Sequence, residues 1–100
     1  MEVRINTEKD LTTVFLSGRL DTPSSQEVAA KLESLQDKAS GTIVLDCSEL
    51  KYISSSGLRI FLSLRKAAAA QGGKVIVKDI NDDIRNVFMM TGFLNLFEIR

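Results

Sequence analysis

The stretch TIVLDCSELKYISSSGLRIFLSL, residues 42–64, joins two different hydrophobic patterns through a polar segment. Its first part, TIVLD at 42–46, is β-branched and apolar on both faces, which predicts a strand buried in a parallel sheet. Three serines at 54–56 precede a periodic apolar segment, and they predict a helix from about residue 56 to residue 71. The residues between, 47–53, are expected to form a loop at the carboxyl edge of the sheet, where open α/β proteins place functional loops.

Two side chains at the start of this predicted loop could in principle carry chemistry. An aspartate at the end of a parallel strand, such as Asp46, accepts phosphate in receiver domains, but those domains need further acids at neighbouring strand ends. The first predicted strand ends at Asn6, so Asp46 is interpreted as a carboxylate that caps the loop. Cys47 is interpreted as a small buried residue beneath the loop. Leu50 and Ile53 are expected to be tucked under it.

The residues before this stretch predict a hairpin and a helix. EVRIN and LTTVFLSG read as two strands, and the polar turn TEKD between them indicates antiparallel pairing. The segment 21–41 reads as a helix with two possible starts. Thr22 could cap it with Pro23 in the first position, or Ser24 and Glu27 could form a capping box. Gly41 is expected to end it in a left-handed conformation.

The residues after the stretch predict one more βαβ unit. KVIVK reads as a buried strand, Asn81 or Asp82 as the cap of a third helix ending near Gly92, and LFEI as a short last strand. The order ββαβαβαβ predicts one α/β domain over residues 1–100. Its sheet should be mixed and mostly parallel, with an antiparallel N-terminal edge strand.

Composition excludes many functions. The 100 residues include no histidine and one cysteine, so Ser–His–Asp triads, Cys–His pairs and the usual zinc ligand sets cannot form. We therefore expect no catalysis, no metal and no cofactor. Net charge is zero with scattered cations, which argues against nucleic-acid binding. No apolar run approaches the ~18 residues of a membrane span, and no signal peptide is visible, so a cytoplasmic protein is expected.

The serine run itself allows two interpretations. One serine must cap the helix, and the simplest interpretation is a cap with two solvated neighbours. A phosphate on another serine would be favoured by the positive end of the helix dipole and by free backbone N–H groups. It would add roughly −1.5 to −2 charges to a surface that is otherwise near neutral. Local chemistry therefore permits a reversible charge switch at this point.

GRLD at 18–21, the central stretch and the closing IRNVFMMTGFLNLFEI together resemble a STAS domain, and more narrowly the bacterial anti-sigma-factor antagonists. The resemblance covers essentially the whole chain. It implies that Ser56, the serine before Gly-Leu, is phosphorylated by an anti-sigma factor that is a serine kinase. It further implies that the unphosphorylated protein binds this kinase and frees the sigma factor, and that a protein phosphatase resets the cycle.

The resemblance also implies a partner-binding surface. Asp21, the acid of GRLD, is expected beside the phosphorylation site, together with Ser54, Ser55, Gly57 and Leu58. The family commonly carries aspartate where this chain has Ser54. The serine makes the unmodified surface less negative. It also places three hydroxyl groups side by side, so Ser55 is the second choice of phosphoacceptor. Two other functions stay open. One is an unphosphorylated STAS subunit of a larger assembly, such as a phospholipid-transport complex or signalling scaffold, and the other is a small-ligand or nucleotide-binding module.

Overall fold

Five strands form one sheet in the computed structural model, which describes residues 1–35, 37 and 40–100. Along the sheet they follow chain order, with β1 antiparallel to β2 and each later strand parallel to its neighbour. The predicted α/β domain, with a mostly parallel sheet and an antiparallel N-terminal edge strand, is confirmed. The strands are β1 Glu2–Glu8, β2 Leu11–Leu20, β3 Thr42–Ile53, β4 Lys74–Lys78 and β5 Glu98–Ile99.

The helices cover one face of this sheet. They are α1 Thr22–Glu33, α2 Ser55–Ala70 and α3 Asp82–Met90, and a short 3-10 helix at Phe93–Asn95 precedes β5. Side chains on a strand alternate between faces, so every second residue of the central strands reaches the helices. These residues and the inner faces of the helices share one buried cluster that includes Val14, Leu45, Val77, Val28, Phe61 and Phe88. Removal of this apolar surface from water is the main stabilising contribution.

Aromatic rings close the core where α2, α3 and the C-terminal segment meet. The ring of Phe61 lies edge-on to that of Phe88, with centroids 6.3 Å apart, and Phe97 packs against both. Such edge-to-face pairs add to the stabilisation that comes from burial alone. The packing holds α3 and β5 against α2, so the second half of the chain supports the helix that begins with the serine run.

The predicted loop over 47–53 is wrong, because these residues extend β3 to Ile53. Their partners lie on β2, where Ser17 pairs with Glu49 and Leu20 with Ile53. The pairing shifts register twice, between Phe15 and Ser17 and again between Gly18 and Arg19, and Gly18 has a left-handed φ of 104°. Register shifts break the two-residue alternation that identifies a strand, so this half of β3 looks irregular in sequence.

The predicted start and end of α1 are also wrong. Its cap is Asp21 rather than Thr22, and Ser24 is the third helical residue rather than the cap. The helix ends at Glu33 with Ser34 as its C-cap, so Gly41 does not terminate it. Gly41 is required for a different reason: a Cβ there would lie 2.4 Å from the carbonyl oxygen of Asp10.

The positions predicted for the start and end of the other two helices are confirmed to within one or two residues. α2 begins and ends one residue before the predicted limits, and Gly72, with φ 78°, follows its C-terminus. Asn81 caps α3 by accepting a hydrogen bond from the backbone N–H of Ile84, at 2.8 Å. Its amide group also donates to the carbonyl oxygen of Leu50, at 3.2 Å, and so ties α3 to the extended half of β3.

Candidate functional site

The starts of α1 and α2 meet at one corner of the domain, beyond the carboxyl ends of β2 and β3. The backbone N–H of Ser54 donates to the carbonyl oxygen of Leu20, at 2.8 Å, and Leu20 immediately precedes Asp21. This bond continues the pairing of Leu20 with Ile53 past the end of the strands. It brings together Asp21 and the serine run, which lie 33 residues apart in the sequence.

Ser54 is the serine that caps α2. Its hydroxyl oxygen accepts from the backbone N–H of Gly57 at 3.1 Å, and its carbonyl oxygen accepts from Leu58 at 3.0 Å. The residue is only 8% exposed. Serine and aspartate are about equally good N-caps. Serine in place of the aspartate expected from the resemblance therefore preserves the start of the helix and leaves this position without a negative charge.

Ser55 and Ser56 are the first two residues of α2, and among the described residues their hydroxyl groups have no hydrogen-bond partner. Ser55 is exposed and Ser56 is partly exposed. In the described ranges, no atom is hydrogen-bonded to either hydroxyl or to either backbone N–H, as expected for the first turn of a helix. Modification of either hydroxyl therefore breaks no hydrogen bond, whereas modification of Ser54 would break the bond to Gly57.

Gly57 and Leu58 lie under this surface rather than on it. A Cβ at Gly57 would lie 2.7 Å from Cγ of Leu20 and 2.9 Å from Cγ1 of Ile53. Leu58 is 2% exposed and belongs to the core cluster. Both residues therefore support the corner by packing and expose almost no surface of their own. Their contact with a partner stays a prediction.

Asp21 caps α1 and stays charged at neutral pH. Its Oδ1 accepts from the backbone N–H of Ser24 at 3.0 Å and from the Ser24 hydroxyl at 2.8 Å. These hydrogen bonds lower the pKa of the carboxyl group, with a smaller contribution from the positive charge of Arg19. The backbone N–H of Asp21 in turn donates to the hydroxyl oxygen of Ser24, at 3.0 Å, so the two residues form a reciprocal capping box.

A stacked pair beside this corner is not evident in the sequence. The guanidinium carbon of Arg19 lies 4.3 Å from the ring centroid of Tyr52, within the range of a cation–π contact. Tyr52 is 39% exposed, and Arg19 is exposed as well. The two residues are partners across β2 and β3 only after the second register shift. Neither their spacing nor their hydrophobic pattern could have indicated that they meet.

Cys47 is buried as predicted, whereas Asp46 lies within β3 and has no loop to cap. Oδ1 of Asp46 accepts a local hydrogen bond from the backbone N–H of Ser48 at 3.0 Å. Cys47 is buried, and burial raises the pKa of its thiol to about 12, so it is protonated at neutral pH. Among the described residues, no three acidic or cysteine side chains are grouped as a metal site requires.

Replacing Ser54 with alanine should lower the free energy of unfolding by about 1 kcal/mol, because the N–H of Gly57 loses its acceptor. Chemical denaturation followed by circular dichroism measures this change. Ser55→Ala is the matched control, since it removes a neighbouring hydroxyl that makes no hydrogen bond, and it should change stability by less than about 0.5 kcal/mol. Equal losses in the two variants would contradict the assignment of Ser54 as the cap.

Comparison with known proteins identifies a family that matches this chain and solved structures that share its fold. The STAS domain family model matches residues 2–100. BtrV of Bordetella bronchiseptica, described as an anti-sigma factor antagonist, is 32% identical over 84 residues, which are 84% of this chain and 72% of that protein. The solved structure of the antagonist SpoIIAA in its unphosphorylated form has a TM-score of 0.77 at 19% identity, covering 99% of this chain and 87% of that one.

The phosphorylated form of SpoIIAA, a Bacillus cell-fate determinant, has a TM-score of 0.76 at 20% identity, covering 99% of this chain and 91% of that one. The fold is that of a small α/β domain in which the starts of two helices lie together at one corner. The chain belongs to the STAS domain family. In the part of the chain that the structure describes, no helix has the length and apolar character needed to cross a membrane.

Proposed function

We propose that this protein is an anti-sigma-factor antagonist that binds a serine-kinase anti-sigma factor and is switched off by phosphorylation of Ser56. The observation that carries the proposal is the division of roles in the serine run. Ser54 is buried as the helix cap, while Ser56 presents an unbonded hydroxyl on the first turn. The names of the relatives support the same function, because they describe antagonists of anti-sigma factors.

Ser56 is favoured over Ser55 by its place in the motif, since it directly precedes the buried Gly57. Close packing at Gly57 against Leu20 and Ile53 gives this part of the first turn a defined position. Ser55 is the more exposed of the two and stays the second candidate. The existence of a phosphorylated form of SpoIIAA supports modification within this fold.

The proposed reaction uses ATP bound to the partner kinase. The hydroxyl oxygen of Ser56 forms a bond to the γ-phosphorus, the bond from that phosphorus to the β-phosphate oxygen breaks, and ADP leaves. The hydroxyl proton passes to a base on the kinase. A protein phosphatase reverses the modification by hydrolysis, with water supplying the oxygen of the released phosphate. This chain supplies only the acceptor and is not itself an enzyme.

The phosphate acts by changing the charge of the docking surface. In the proposed complex, the corner around Asp21 and the serine run lies against the kinase. A phosphoserine there places about −1.5 to −2 charges at the contact, and burying them unpaired is costly. The helix tolerates the modification, because negative charge at its N-terminus interacts favourably with the helix dipole. Binding is therefore lost while the fold is preserved.

The remaining expectations follow from this role. The partners are the kinase and the phosphatase, and the cycle is placed in the cytoplasm, where ATP and sigma factors are found. We propose no nucleic-acid partner, because the chain has zero net charge. No metal or cofactor takes part on the side of this chain.

Intact-mass spectrometry of the protein from its native host tests this proposal. We expect a species heavier by one phosphoryl group that is lost in Ser56→Ala and kept in Ser55→Ala. Ser63→Ala is a further control, because Ser63 is an exposed serine two turns along the same helix. Loss of the modification in Ser55→Ala alone would move the site to Ser55. Absence of the heavier species in every condition, with a small molecule co-purifying, would contradict the switch and favour a ligand-binding module.

A further inference from the structure

Arg59 is an exposed cation on α2, one turn beyond the serine run. It follows Ser56 by three residues and Ser55 by four, and residues with these spacings lie on the same side of a helix. It lines a shallow groove between α1 and α2, shared with Glu33 of α1. In the described ranges, Arg59 forms neither an ion pair nor a hydrogen bond, so its guanidinium group is uncommitted.

Helix geometry brings the serines within reach of this side chain. Each Cα–Cβ bond of a helix tilts towards the N-terminus, so a long side chain covers the turn before its own Cα. For Arg59, that turn contains Ser55 and Ser56. The axial separation of Arg59 and Ser56 is about 4.5 Å, which the length of an arginine side chain spans easily.

We propose that Arg59 binds the phosphate of phosphorylated Ser56 within the same helix. This inference rests on the proposed phosphorylation of Ser56 and adds the group that receives the phosphate. The guanidinium fork can donate two parallel hydrogen bonds to phosphate oxygens, and such charge-assisted bonds are stronger than neutral ones. The unbonded N–H groups of Ser55 and Ser56 add positive character on the other side.

The contact gives phosphorylation two effects on the docking surface. Before modification, Arg59 is free to contact a partner. Afterwards, the surface gains a phosphate and Arg59 is engaged by it. One covalent change therefore adds a negative group and occupies a positive one, and both changes oppose binding to any partner that uses Arg59. Pairing also holds the phosphate over the first turn of α2 instead of leaving it free in solvent.

The test measures the second pKa of the phosphate by 31P NMR titration of the full chain carrying phosphoserine at position 56. The phosphoserine is incorporated during synthesis, so no kinase is needed. A nearby cation favours the dianion, so Arg59→Gln should raise this pKa, by about 0.3 pH unit for a pair of this spacing in ~0.1 M salt. Arg59→Lys should recover part of the shift, since it restores the charge without the fork.

Lys66→Gln is the matched control. It removes one exposed positive charge from the same helix, about 15 Å from Ser56, which exceeds the screening length in ~0.1 M salt. It should leave the phosphate pKa unchanged. Equal shifts in Arg59→Gln and Lys66→Gln, or none in Arg59→Gln, would overturn the proposed contact. Failure of the switch itself would appear separately, as absence of phosphorylation in the host.

Discussion

Ser56→Asp should weaken binding to the serine-kinase anti-sigma factor by about 100-fold, whereas Ser56→Ala should bind as tightly as the wild-type protein. The aspartate places a permanent negative charge on the first turn of α2, where it must be desolvated on docking. An unpaired charge buried in an interface costs about 2–5 kcal/mol, and each 1.4 kcal/mol is a tenfold change in affinity. Isothermal titration calorimetry with the purified kinase measures both variants.

Ser63→Asp is the control for this measurement. It makes the same substitution on an exposed residue of the same helix, seven residues from Ser56, and should leave the affinity nearly unchanged. Circular dichroism should show that all three variants are folded. Aspartate at position 56 interacts favourably with the helix dipole, alanine is a good helix former, and Ser63 is exposed. If Ser56→Asp bound the kinase as tightly as wild type, the proposed switch would be wrong.

Gly57→Ala should destabilise the fold by about 1–3 kcal/mol, although alanine is the better helix former. The added Cβ would lie 2.7 Å from Leu20 and 2.9 Å from Ile53, so buried side chains must shift. The gain in helix propensity, up to about 1 kcal/mol, offsets only part of this cost. Urea denaturation measures the change in unfolding free energy.

Gly72→Ala is the control that separates the stability cost of steric crowding from the cost of backbone strain. Its Cβ would have no atom within 4 Å, but its φ of 78° is unfavourable for alanine. The cost there should be about 1 kcal/mol and should arise from conformation alone. If Gly57→Ala were neutral or stabilising, the first turn of α2 would not be packed closely against the strand ends, and the argument for a defined position of Ser56 would fail.

Local patterns were sufficient for the element order and for the start of α2. Buried β-branched runs at 42–46 and 74–78 identified the parallel strands, and a serine run before an apolar segment identified the start of α2 to within one residue. Such patterns work because strand burial and helix capping depend on residues close together in the chain. The absence of histidine is a property of the composition alone, and it excludes histidine-dependent chemistry whatever the fold.

Partners from separate segments could not be predicted in this way. The second half of β3 was expected to be a loop, because register shifts against β2 hide its alternation. The same shifts pair Arg19 with Tyr52, and no local spacing connects these two residues. Asp21 was expected at the site only through resemblance to a family, and its role as the cap of α1 emerged from hydrogen bonds to Ser24.

The sequence by itself therefore determined the fold class, the serine-capped helix start and the exclusion of histidine-dependent chemistry. Only the tertiary structure decided which serine is buried as the cap, which hydroxyls remain free, and that Gly57 and Leu58 support the surface from below. The physical reason is that burial and hydrogen bonding depend on neighbours in space. At this corner, the neighbour that is distant in sequence is Leu20 at the end of β2, 34 residues before Ser54 in the chain.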